Sequence, residues 1–292
     1  MTALTLPGQA MRMHLRLGRV SNLPTVWSNA IAGIVLAGGF VSVGHTLGVL
    51  VGLSLFYVGG MYLNDAFDRQ IDARERPDRP IPSGQIKAST VYSLGFGMLG
   101  IGVLGLATLG AQVALVALAL AATVVLYDAR HKGNVLSPVL MGLCRALVYL
   151  TAGAAAGGSL ALPLLLGALA VWAHVVGLTY AAKQESLDRI GALWPLAILA
   201  IPLALYASAA IASPTAALAW LALAAAAIWA VKLLAARKSR GDVPRAVVQL
   251  IAAISLLDAL VVASAGGPQV AFVACLGAYV LTRLLQAVIP GT

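Results

Sequence analysis

Apolar residues run in stretches of about twenty along nearly the whole of this 292-residue chain, interrupted by short polar or glycine-rich pieces. Wound as helices, stretches of that length match the hydrocarbon core of a bilayer. They predict membrane spans over 22–43, 46–64, 89–109, 112–128, 137–157, 160–182, 192–212, 215–236, 244–265 and 269–288. The connectors alternate in character. Val43–His45, Leu109–Gln112, Gly157–Ser159, Ser213–Thr215 and Gly266–Gln269 hold no Lys, Arg, Asp or Glu. The intervening ones hold Arg69 to Lys87, Arg130 to Lys132, Lys183 to Arg189 and Arg237 to Arg245. Lysine and arginine accumulate in cytoplasmic loops. The N-terminus and all the charged loops are therefore expected at the cytoplasmic face, of the inner membrane if the source is bacterial.

The segment Met11–Arg19 carries Arg12, Arg16 and Arg19 ahead of the first apolar run. It has the charge of a signal-peptide n-region, but the run that follows is long enough to span and no small-x-small cleavage site closes it. Residues 1–20 are read instead as an interfacial lead-in to the first span.

Composition agrees with the pattern. The chain is 61% hydrophobic and 10% charged, with a mean hydropathy of +0.94, whereas soluble domains carry about a quarter charged residues. The net charge of +9 does not indicate nucleic acid, because the basic residues sit in short loops between spans. Cys144 and Cys275 lie far apart inside apolar runs and read as packing residues.

Against this background the stretch Asn64-Asp65-Ala66-Phe67-Asp68-Arg69-Gln70-Ile71-Asp72 stands out. Half of the chain's ten carboxylates lie between Asp65 and Asp78. On a helix, Asn64, Asp68 and Asp72 fall at i, i+4 and i+8 on one face, with Asp65 close to it. Hard oxygen ligands on one stripe suit a divalent cation such as Mg²⁺. Arg69, Arg74, Arg76 and Arg79 follow, with donors suited to phosphate oxygens. Two further polar loops come after the fourth and sixth spans: Tyr127-Asp128-Ala129-Arg130-His131-Lys132-Gly133-Asn134, and Lys183-Gln184-Glu185-Ser186-Leu187-Asp188-Arg189. Eight of the ten acidic residues lie in these three loops, a bias that favours a metal site over simple solvation.

Three polar residues fall inside spans, where a charge costs about 2.5–3.5 kcal/mol and normally faces a partner or a cavity. Arg145, roughly 13 Å into the fifth span at 1.5 Å per residue, reads as facing a ligand. His174 reads as a satisfied core histidine. Asp258 is balanced between helix packing and function.

The run Asn64-Asp65-x-x-Asp68-x-x-x-Asp72, followed by Arg79-Pro80-Ile81-Pro82-Ser83-Gly84, resembles the first aspartate-rich motif of the UbiA superfamily of intramembrane prenyltransferases. Ser21–Asn29 resembles the start of that family's first helix. Tyr127 and Lys132 resemble its Tyr…Lys motif, and Tyr180–Gly191 takes the place of its second aspartate-rich motif. The similarity covers about residues 20–200 and looks closest to a less characterised branch. It implies a single domain over residues 1–292, a bundle of nine to ten helices whose central cavity opens to the cytoplasmic side. It also implies Mg²⁺-assisted transfer of a prenyl group from an isoprenoid diphosphate to a small-molecule acceptor, either an aromatic ring or a hydroxyl.

Carried over by position, Asn64, Asp65, Asp68, Asp72 and Asp188 are the expected metal ligands. Asp68, Asp72, Tyr127, Lys132, Glu185 and Asp188 are the expected catalytic groups, and Asn29, Arg69, Arg79, Lys87, Arg145, Tyr180 and Lys183 are expected to contact substrate. Gln184 stands where the family offers an aspartate, which leaves one Mg²⁺ site expected and a second open. Membrane lipid is an expected partner and nucleic acid is not. Oligomeric state is left open. A transporter or lipid-binding protein without prenyl transfer is the alternative for a many-helix chain of this kind, although its polar residues gather at one face rather than at the midplane.

Overall fold

The computed structural model describes residues 7–38, 42–157, 160–183, 194–236, 239, 241–289 and 291. These are all-helical apart from turns. Pro7–Leu17 forms α1, and a single 3-10 turn, Val20–Asn22, leads into α2, Pro24–Leu36. Then come α3 (Val43–Phe67), the short α4 (Arg69–Glu75), α5 (Ala88–Ala107), α6 (Ala111–Arg130), α7 (Ser137–Ala155) and α8 (Leu162–Lys183). The chain closes with α9 (Trp194–Leu205), α10 (Ala207–Ala212), α11 (Pro214–Ala236), α12 (Asp242–Ser264) and α13 (Gln269–Gln286). Eight of these, α3, α5 to α8 and α11 to α13, are long and apolar enough to cross a membrane, and Val20–Leu36 is a shorter apolar piece. The chain is an integral, multi-pass membrane protein. Leu104, Leu115 and Ile211 stand exposed on outward faces, as a lipid-facing surface requires.

The expected seventh span, 192–212, is broken into α9 and α10 at Tyr206. Pro202 lies inside α9, where it has no N–H to give the preceding turn. The carbonyl of Leu203 near the break accepts the Trp220 indole N–H at 2.8 Å, which keeps the interruption satisfied in an apolar setting.

One helix lies at the centre. In α12, 83% of the most apolar stretch is buried, against 17% in α13. It packs on α2, α8, α11 and α13, while α2 also packs on α7. The α2–α7 crossing is close because Gly33 lies on it: a Cβ there would stand 2.6 Å from the Tyr149 carbonyl oxygen. That approach sets Asn29, one turn before Gly33, against Arg145, one turn before Tyr149 (3.0 Å). On the other side α3 packs against α5 and α6. The N-terminal α1 rests on α3 through Met13, Leu17 and Tyr62, with His14 Nδ1 2.6 Å from the Tyr62 hydroxyl.

Candidate active site

The first acidic motif occupies the end of α3 and the start of α4. Asp68 is the joint between them, in helical conformation. The Asp68 N–H donates to the Asn64 carbonyl at 3.0 Å, and the Asp72 N–H donates to the Asp68 carbonyl at 2.9 Å. The helical path therefore continues through the joint, and Asn64, Asp68 and Asp72 stack as the spacing predicts. All three are buried, as is Asp65.

The side chains divide into two sets. Arg79 Nη1 donates to Asp65 Oδ1 at 3.1 Å and to Asp72 Oδ2 at 2.8 Å. The loop after α4 makes this possible. Pro77, two residues past the end of α4, forces Arg76 out of the helical conformation, Gly84 takes a left-handed φ of 76°, and Ser83 caps the Arg79 carbonyl at 2.7 Å, which folds Arg79 back over α4. Arg19 reaches the motif from the other side, with Nη2 3.2 Å from Asn64 Oδ1 and 3.3 Å from Asp65 Oδ1. It is the one non-glycine residue with positive φ among the described residues, at 42°. That backbone state costs a side-chain-bearing residue free energy and tends to persist where function holds it.

The second set faces the end of α6. Asp68 Oδ2 pairs with His131 Nε2 and with Lys132 Nζ, each at 3.3 Å. Burial alone would push the Asp68 carboxyl up, but the His131 and Lys132 contacts outweigh it and hold it below the usual carboxylate range. Asn64 Nδ2 donates to Asp128 Oδ1 at 3.1 Å, and Tyr127 stacks on His131 with ring centres 4.9 Å apart.

Beside these groups opens a cavity of about 290 Å³. Arg19, Arg76, Arg79, Tyr127 and Asp128 line its polar end. The remaining wall is apolar, with Val26, Leu53, Phe56, Leu120, Val124, Val148, Ile251 and Ile254 among its residues. Arg145 also faces the cavity, its guanidinium 5.5 Å from the Tyr57 ring centre. A chain of buried groups fixes it. Arg145 Nη1 donates to Asn29 Oδ1 at 3.0 Å, and Asn29 Nδ2 donates to both carboxylate oxygens of Asp258 at 3.0 and 2.8 Å. Ser28 and Tyr149 donate to the same carboxylate. Asp258 thus joins α2, α7 and α12 and ends in a cation on the cavity wall. His174 Nε2 lies 2.9 Å from the Leu250 carbonyl and is fully enclosed. Cys275 is buried in the core, and Cys144 lines the cavity.

Other expected site residues lie elsewhere. Arg69 turns away to the Ala66 carbonyl and the Tyr92 hydroxyl. Lys87 is exposed before α5. The Tyr180 hydroxyl donates to the Val135 carbonyl at 2.9 Å and Lys183 Nζ to the Asn134 carbonyl at 2.5 Å, so both hold the loop after α6. Asn29 is enclosed behind Arg145. Gln184, Glu185 and Asp188 lie outside the described residues. Arg19, Asp128 and His131 join the site without having been singled out by the motifs. A carboxylate at the buried end of an apolar run, beside a basic flank, was the available signal for Asp128. Arg19 gave none beyond its charge.

A long-helix membrane bundle enclosing an apolar cavity with an arginine-rich mouth beside a buried acidic motif defines the class of protein. A model of the UbiA prenyltransferase family matches residues 25–250, and the chain belongs to that family. The chain is similar to the digeranylgeranylglyceryl phosphate synthase of Methanopyrus kandleri, at 30% identity over 139 residues. That match covers 46% of this chain and 51% of the relative, so the chain spans about half the length of the curated relatives it matches. In fold it is similar to a UbiA homolog from Aeropyrum pernix K1, with a TM-score of 0.66 at 19% identity, covering 82% of this chain and 96% of the other. A UbiA homolog from Archaeoglobus fulgidus bound to GPP and Mg²⁺ gives a TM-score of 0.53 at 14% identity, covering 94% and 100%.

Proposed function

We propose that this chain is a Mg²⁺-dependent prenyltransferase, moving a prenyl group from an isoprenoid diphosphate to an acceptor held in the same cavity. It works as one membrane-embedded domain with its N-terminus and polar mouth on the cytoplasmic side. The observation that carries the reading is the cavity's division into an apolar wall and a polar end lined by Arg19, Arg76, Arg79 and Asp128, with Asp65 and Asp72 bound to Arg79 beside it. An isoprenoid diphosphate is divided in the same way.

The residues present suit a hard cation. Mg²⁺ takes one or two carboxylates and completes its shell with water and substrate phosphate rather than with an all-protein cage. Asn64 and Asp68 are the proposed first ligands. When bound, the cation would neutralise charge on the departing pyrophosphate.

Arg19, Arg76, Arg79 and Lys132 bind the diphosphate oxygens, and Asp65 and Asp72 hold the first and third of these arginines in place. The allylic C–O bond breaks and its electron pair leaves with pyrophosphate. The acceptor forms the new bond and gives up its proton, with Asp188 or Glu185 as the proposed base. The apolar wall keeps water from the allylic cation.

Arg145 indicates the kind of acceptor. It faces the cavity with no carboxylate within salt-bridge distance among the described residues, which favours an acceptor carrying an anionic group. The similarity to digeranylgeranylglyceryl phosphate synthases makes a glyceryl phosphate hydroxyl the leading candidate. The full chain in liposomes, given labelled geranyl or longer prenyl diphosphates with glyceryl phosphates, sugars and hydroxybenzoate, should release pyrophosphate and yield one prenylated product by mass spectrometry. No product with any acceptor, together with solute flux through the liposomes, would overturn the reading in favour of a transporter.

A further inference from the structure

We propose that Asp128 is a cation ligand, its Oδ2 supplying a carboxylate oxygen from α6 to the divalent cation held by Asn64 and Asp68. The proposal rests on the reading of the mouth as a Mg²⁺ and diphosphate site and adds a ligand from outside the first acidic motif.

Four buried carboxylates stand at this end of the cavity, and three have cationic partners. Asp65 has Arg19 and Arg79, Asp72 has Arg79, and Asp68 has His131 and Lys132. Among the described residues Asp128 has no cation within salt-bridge distance, and the neutral amide of Asn64 donates to its Oδ1. Its Oδ2 is buried without a hydrogen-bond partner among the described residues, although the residue is 3% exposed and lines the cavity. Hydrogen bonds or charge partners normally accompany a buried carboxylate, because an unpaired one loses its hydration for nothing in return. A divalent cation at this end of the cavity would supply the partner that Oδ2 lacks.

The surroundings fit the assignment. The Asn64 amide that holds Oδ1 belongs to the acidic motif, so the two groups are already tied across α3 and α6. One turn along, the His131 ring lies between the Asp128 carbonyl, 3.2 Å from Nδ1, and Asp68 Oδ2, 3.3 Å from Nε2. The end of α6 is therefore fixed to the end of α3 at two points, and that fixing places Asp128 beside the motif. Asp68 and Asp128 would give the cation two carboxylates, and Asn64 its amide oxygen in exchange for the 3.2 Å contact with Arg19, leaving the rest of its shell to water and phosphate.

The test is Mn²⁺ binding to the purified full chain in detergent with inorganic pyrophosphate, followed by electron paramagnetic resonance. Asp128→Asn keeps the side-chain shape and an oxygen for the Asn64 amide, and an unchanged melting temperature without metal would show that the fold is intact. The wild type should bind, and Asp128→Asn should bind at least tenfold more weakly, with Asp128→Glu intermediate. Equal Mn²⁺ affinity in the wild type and Asp128→Asn, alongside loss of binding in Asp68→Asn, would overturn this inference alone and mark Asp128 as a protonated, cation-indifferent carboxyl. Absence of Mn²⁺ binding in the wild type would overturn both it and the metal-dependent reading beneath it.

Discussion

Arg79 Nη1 and Asp72 Oδ2 are 2.8 Å apart, with 16% and 3% of their side chains exposed. The same nitrogen also reaches Asp65, so one guanidinium holds two carboxylates of the motif. Removing one partner of an enclosed ion pair leaves a charge without compensation and costs about 3–5 kcal/mol. Arg79→Met should lower the melting temperature of the purified protein markedly and reduce prenyl transfer by at least tenfold. Asp72→Asn, which leaves Arg79 its contact with Asp65, should lower it less. Equal melting temperatures for the wild type and Arg79→Met would show that the pair does not hold the loop.

Asp258 acts on the cavity through Asn29 and Arg145. Asp258→Leu would leave Ser28, Asn29 and Tyr149 without their shared acceptor, each at a cost of about 1–3 kcal/mol. Asp258→Asn keeps part of the network. Acceptor KM should rise about tenfold in Asp258→Asn with the donor KM little changed, because Arg145 is assigned to the acceptor. A change confined to melting temperature would make the network purely structural.

Asp68 provides a pH test. Its partners hold its carboxyl below the usual range in the folded chain. A depressed folded value contributes stability above the unfolded pKa, near pH 4, and that contribution is lost as pH falls through the folded value. The melting-temperature difference between the wild type and Lys132→Met should hold from about pH 7 to 5 and shrink below about pH 4. A difference that grew on acidification would contradict the pairing.

Much of this was legible in the sequence, for identifiable reasons. Bilayer thickness fixes span length, so eight of the ten apolar runs correspond to helices long enough to cross among the described residues, while 22–43 gives the shorter Val20–Leu36 and 192–212 is broken; the i, i+4, i+8 spacing of Asn64, Asp68 and Asp72 is carried by the backbone through the joint at Asp68. Side-chain partners were less legible. Spacing alone does not reveal that Asp65 and Asp72 face arginines while Asp68 faces His131 and Lys132, because Arg19 and the end of α6 reach the motif only through tertiary packing. The same applies to Asp258, whose partners Ser28 and Asn29 lie more than two hundred residues away. The break at Tyr206 had a local cue in Pro202, set within an otherwise unbroken apolar run.

The central claim is metal-dependent cleavage of an allylic diphosphate at the Asp68 mouth. Its most direct test is pyrophosphate release from a labelled prenyl diphosphate by the purified chain, with Mg²⁺ and with EDTA, in the wild type and in Asp68→Ala. Release that requires Mg²⁺ and falls at least a hundredfold in a folded Asp68→Ala protein is the predicted result. Release that persists in EDTA, or that Asp68→Ala leaves intact, would contradict it.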